Sequence, residues 1–83
     1  MTDAEIRLAF LEELTSVAPD IDAEDVGPDD DLMQDLEIDS MDFLNLVSAL
    51  HKRLGVDVPE ADYPSLATIT LATKYLSGRL RRT

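Results

Sequence analysis

Apolar side chains return at helical intervals in three stretches of this chain, and between the first two they thin into a run dominated by aspartate. In the first stretch Ile6, Phe10, Leu14 and Val17 share one helix face, and Leu8 and Leu11 widen the stripe toward further neighbours. Thr2, followed three residues later by Glu5, is a capping-box start, and Ala18-Pro19 stops the run. The second stretch opens at Asp39, a favourable N-cap, with Asp42 at the third helical position, where a carboxylate meets unpaired first-turn amides. Its inner face reads Phe43, Leu46 or Val47, Leu50 and Leu54; His51-Lys52-Arg53 complements the negative end of the helix and Gly55 closes it. In the third, Thr68 is the N-cap, Ile69, Ala72, Leu76 and Leu80 share a face, and Tyr75 lies on its flank.

The connections are of unequal kind. Ala18 to Asp39 is longer than most loops in small domains, and Val26, Leu32, Met33, Leu36 and Ile38 are spaced along it as anchors that pin it to the core and leave its aspartates outside. Val56-Asp57-Val58-Pro59 reads as extended, and Glu60 to Tyr63 as one helical turn ended by Pro64. The pattern predicts an all-α fold, a small four-helix bundle with three longer helices, one short helix and a long loop between helices one and two, in a single domain of residues 1–83.

Charge narrows the function. Eighteen acids against seven Lys/Arg give a net charge of −11, which repels phosphate backbones and excludes a nucleic-acid partner. No Lys or Arg lies between Arg7 and Lys52, while Asp20 to Asp42 holds eleven carboxylates, so the expected partners carry basic docking surfaces. The chain has no cysteine, which removes disulfides, thiolate metal sites and a cysteine nucleophile together. Its first residues lack the pattern of a signal peptide, and no apolar run reaches the ~20 residues that span a bilayer. A cytoplasmic monomer without membrane contact is the expectation.

Two catalytic or metal-binding readings fail on spacing. His51 follows Ser40 by eleven residues on one helix, about 16 Å along the axis, too far to serve as its base. Against the EF-hand template, a loop starting at Asp20 has Asp25 where the turn glycine belongs and Asp31 where the glutamate belongs. Starts at Asp29 or Asp31 put Met33 or Asp35 at the fifth position with no glycine at the sixth, so no specific metal site is expected. Ser40 is different. With Asp39 capping the helix, its hydroxyl is free to point outward, and an attached phosphate would face first-turn N–H groups and the positive end of the helix dipole. Met41 and Leu44 fall off the buried stripe, and exposed apolar residues among acids suit a small protein-docking patch.

The segment Leu36-Glu37-Ile38-Asp39-Ser40-Met41-Asp42-Phe43-Leu44-Asn45-Leu46 resembles the attachment motif of acyl carrier proteins, Gly-x-Asp-Ser-Leu at the opening of the second helix. The likeness continues in length, acidity, Asp35-Leu36 upstream, the Val58-Pro59 step and the Thr68-Ile69 opening of the last helix. The resemblance implies a stand-alone carrier that is not itself an enzyme. Ser40 would bear 4'-phosphopantetheine, added from coenzyme A by a phosphopantetheinyl transferase, with acyl groups held as thioesters on the terminal thiol. It further implies that Asp39 orients the serine's helix, and that Asp35, Glu37 and Asp42 with Met41, Leu44 and Asn45 form the surface read by acyl-loading and acyl-processing enzymes. Leu50, Val58 and Leu66 would line the pocket of a folded-back acyl chain. The chain departs from the motif at Glu37 for glycine and Met41 for leucine, and from fatty-acid carriers at Asn45 and at the basic His51-Lys52-Arg53. These departures point to a specialised fatty-acid or polyketide-like pathway. A peptidyl or aminoacyl carrier of the same fold and an unmodified acidic adaptor are the alternatives. Arg79, Arg81 and Arg82 read as favourable charge at a helix C-terminus.

Overall fold

The computed structural model describes residues 1–81, so Arg82 lies outside the described residues. Helix α1 (Asp3–Val17) starts at the expected capping box: the Thr2 N–H donates to Glu5 Oε1 at 2.8 Å and the Glu5 N–H to the Thr2 hydroxyl at 3.2 Å. The Thr2 N–H, and after it the Thr2 hydroxyl, holds the Glu5 carboxyl below its ordinary value of 4.5. A carboxyl lowered by folding stabilises above its unfolded value and loses that contribution as pH falls through the folded one. We expect the Thr2 amide resonance to titrate at a pH below 4.5, with the N-terminal turn loosening there; a midpoint at or above 4.5 would contradict this.

Helix α2 (Ser40–Leu54) ends at Gly55, whose φ of 71° is the left-handed cap that glycine adopts without strain. Helix α3 (Ile69–Arg81) is capped by Thr68, whose hydroxyl accepts from the Leu71 N–H at 3.1 Å. α1 packs against both α2 and α3, and α3 against a 3₁₀ helix, Glu60–Leu66. Ile6, Phe10 and Leu14 of α1 meet Leu46 and Leu50 of α2 and Leu76 of α3 in one core, all essentially without solvent exposure. Among the described residues there is no strand, and the fold is the expected small helical bundle.

Three details differ from expectation. Pro64 does not end the short helix but sits inside it: the segment uses i to i−3 bonds, Asp62 N–H to Pro59 O and Ala67 N–H to Pro64 O, and proline's fixed φ suits 3₁₀ geometry. Leu8 is 58% exposed, because it stands about 200° around the helix from both Ile6 and Phe10. Met33 is 44% exposed while Leu32 is fully buried. Asp31 Oδ1 accepts from the Met33 and Gln34 amides at 3.0 and 2.9 Å, and this turn sends the two neighbouring side chains in opposite directions.

The long loop is otherwise held as its sequence implies. Leu32 and Ile38 enter the core, with Val26 and Leu36 packed at its edge. The Leu32 N–H donates to Ala67 O at 2.9 Å, the Ile38 N–H to Leu32 O at 3.0 Å, and the Thr70 N–H to Pro28 O at 3.0 Å. A 3₁₀ turn, Ala23–Asp25, shortens the first half of the loop.

Candidate functional site

The N-terminus of α2 gathers the chemistry. Asp39 is extended (φ −80°, ψ 171°) and its Oδ1 accepts from the Asp42 N–H at 2.8 Å, which satisfies the cap without the neighbouring hydroxyl. Ser40, the first helical residue, is therefore left exposed. Met41 and Leu44 are 68% and 45% exposed, and Asn45 is exposed beside them. Asp42 is half-buried, facing back toward the loop.

A cavity of about 380 Å³ opens beside Ser40, floored by Leu32 and Phe43 and walled by Met33, Leu44 and Tyr63. Phe43 and Tyr63 meet edge to face, their centroids 5.4 Å apart, which joins α2 to the 3₁₀ helix and fixes one wall. The volume is within the ~300–1,000 Å³ range of small-molecule sites, and the lining is mostly apolar. Tyr63 and Ala67 also line this cavity, and no motif or spacing around them marks either as a site residue.

Asp35 and Glu37, on the loop that leads into α2, are both exposed. Asp35 has a second task, since its Oδ2 accepts from the Asp31 N–H at 2.8 Å and closes the preceding turn. Glu37 has a φ of 58°, a left-handed conformation costly for a residue with a Cβ. Glu37→Gly is expected to stabilise the fold by about 0.5–1 kcal/mol, the relief of that strain less glycine's greater unfolded entropy; an unchanged or lower denaturant midpoint would refute it. Leu50, Val58 and Leu66 are buried in the closed core at 0%, 4% and 0% exposure, and none of them lines the cavity beside Ser40.

Several basic residues are committed elsewhere. The Arg53 guanidinium forks between Glu13 and Glu12 of α1, both at 2.8 Å, and these carboxylates, Glu13 foremost, raise its already high pKa. Arg53 thus pins α2 to α1 and does not stand as a free charge on the exposed side of α2. Arg79 donates to the Tyr75 hydroxyl at 2.8 Å and to Asp57 O at 3.1 Å, while the Tyr75 hydroxyl donates to Asp62 at 2.7 Å. Burial, and after it the Asp62 hydrogen bond, pushes the Tyr75 phenol above its ordinary 10.0. Arg79 therefore clamps α3 to the 3₁₀ helix and is more than a favourable charge at a helix end. His51 and Lys52 are exposed at the far end of α2, and the unbroken helix keeps His51 about 16 Å along the axis from Ser40. Among the described residues no cluster of acids and histidines could hold a metal ion, and no helix is long and apolar enough to cross a membrane.

Residues 9–76 match the family described as "Phosphopantetheine attachment site". The chain is similar to the acyl carrier protein of Campylobacter hominis, 35% identical over 74 residues that cover 89% of this chain and 87% of the relative. It is 33% identical to that of Streptomyces coelicolor, over 77% of this chain and 70% of the relative. To that of Rubrobacter xylanophilus it is 28% identical, over 89% and 91%. With the family matched across most of its length and an exposed serine opening its second helix, the chain belongs to the acyl carrier proteins, which bear 4'-phosphopantetheine as a covalently attached group.

Proposed function

We propose that Ser40 is the attachment point of 4'-phosphopantetheine, and that the chain, without being an enzyme, carries acyl groups for a specialised fatty-acid or polyketide-like pathway. The observation that carries this reading is the position of Ser40: exposed, first in α2, relieved of capping by Asp39, and at the edge of an apolar cavity. A phosphodiester on its hydroxyl would lie against the first-turn amides, where an anion is stabilised. When bound, the group supplies a terminal thiol that holds the acyl chain as a thioester. What the chain itself supplies is the helix terminus, a cavity that can shelter apolar atoms, and an absence of protein thiols that would compete for the acyl group.

Acyl carrier proteins work with a phosphopantetheinyl transferase and with acyl-processing enzymes. For this chain the surface they read is Asp35, Glu37 and Asp42 with Met41, Leu44 and Asn45. Apolar contact gives it area and the carboxylates select basic partners. A short acyl chain is sheltered by Phe43, Leu44 and Tyr63; a longer one reaches Leu50, Val58 and Leu66 only by parting the core they now fill. Incubation with a phosphopantetheinyl transferase and coenzyme A, followed by intact-mass measurement, tests the reading. A single stoichiometric adduct is expected, and a chain that gains no mass would sink it.

A further inference from the structure

A second concave surface lies between α1 and α3 and shares no lining residue with the cavity beside Ser40. Arg7 of α1 and Lys74 and Arg81 of α3 line it, with Asp3 on the α1 side. The chain has only seven Lys/Arg. Arg53 and Arg79 are engaged by carboxylates, whereas among the described residues no ion pair or side-chain hydrogen bond engages Arg7, Lys74 or Arg81. In a chain of net charge −11 this groove reverses the local sign. Thr73 also lines it, at 8% exposure, and its hydroxyl is buried without a partner. A helical threonine ordinarily turns that hydroxyl onto the carbonyl one turn back, and the side chain has two χ1 wells in a helix, so the donor can turn toward an acceptor entering the groove.

The spacing of the cations identifies the ligand class. Lys74 and Arg81 are seven residues apart, two turns or about 10.5 Å along α3, with Arg7 on the opposite wall. Spread over two turns of α3 and across to α1, they give the groove an elongated cationic lining. An extended peptide presents every second side chain to one face, about 7 Å apart, so successive carboxylates on that face come within reach of the long side chains of Lys74 and Arg81. We propose that the α1/α3 groove docks an acidic peptide segment of a partner protein. The site stands whether or not Ser40 is modified, and it leaves the N-terminus of α2 free, so a partner could hold the carrier by one face while the other is read by an enzyme.

The overall negative charge makes the test discriminating, because nothing but a local cationic site would draw an acidic peptide to this chain. The full chain, isotope-labelled, is titrated at low salt with a short Asp/Glu-rich peptide and followed by amide shifts. Saturable shifts confined to Asp3, Arg7 and residues 70–81 are expected. The combined Arg7→Gln, Lys74→Gln, Arg81→Gln variant should keep its melting temperature and bind on the order of tenfold more weakly. Thr73→Val should weaken binding without lowering the melting temperature. Absence of saturation, shifts that survive the triple substitution, or equally tight binding of inorganic phosphate or a single-stranded oligonucleotide would each overturn the proposal.

Discussion

A Ser40→Ala chain is expected to gain no mass from a phosphopantetheinyl transferase and coenzyme A, under conditions that convert the parent fully. It should melt within about 0.5 kcal/mol of the parent, as for a surface substitution outside the core. The two halves of this result belong together. Ser40 is exposed and Asp39 makes the capping bond to the Asp42 amide, so loss of the hydroxyl leaves the start of α2 intact. Alanine is at least as good a helix former as serine, which removes propensity as a source of change. A lost adduct on a folded chain is then a chemical effect of the missing nucleophile. Ser48 supplies the internal comparison: it is exposed on the same helix, two turns further on, and has neither the helix terminus nor the apolar cavity beside it. An adduct that persists in Ser40→Ala would move the attachment to such a residue and refute the assignment.

Leu32→Ala is expected to be the most destabilising single truncation in the long loop, costing about 2–4 kcal/mol, or on the order of 10–20 °C in melting temperature for a domain of this size. Leu32 is completely buried although it lies in the connection between α1 and α2. Its amide bonds to Ala67 O and its carbonyl accepts from the Ile38 N–H, so the side chain anchors a segment whose backbone ties the loop to the 3₁₀ helix and to the start of α2. Leu32 also floors the cavity beside Ser40, and its removal enlarges a space that the surrounding helices cannot close without moving the 3₁₀ helix. Met33→Ala, next in sequence and 44% exposed, should change stability by no more than about 0.5 kcal/mol. Equal melting temperatures for the two variants would contradict the placement of Leu32 as the anchor.

The contrast between Leu32 and Met33 shows where sequence reading stops. Both are apolar, both interrupt an acidic run, and no local rule separates them. The separation comes from the Asp31 carboxylate, which accepts from the Met33 and Gln34 amides and turns the chain, and from Ala67, thirty-five residues away, which receives the Leu32 N–H. Arg53 illustrates the same limit with charge. Its position invites a helix-end reading, but its partners Glu12 and Glu13 lie about forty residues earlier and come within reach only because α1 packs on α2. Glu37 is the converse case. Its departure from glycine was visible in the motif, yet the strain it carries required the φ of 58° to be seen.

Helix starts, stops and core faces follow from local chemistry: the capping box at Thr2 and Glu5, the Asp39 cap, the left-handed turn at Gly55, and apolar spacing near 3.6 residues. The exposure of Ser40 follows from the same rules, because a cap that uses the preceding aspartate leaves the next hydroxyl unspent. Tertiary packing alone decided what surrounds that serine. Phe43 of α2 meets Tyr63 of the 3₁₀ helix, Leu32 closes the floor from the loop, and the cavity exists where these three distant segments fail to fill the space between them. The groove between α1 and α3 arises in the same way, from Arg7, Lys74 and Arg81 brought together across most of the chain. Local bonding fixes the elements and their faces; a void or a charge cluster belongs to pairs of faces and acquires its shape only when the helices meet.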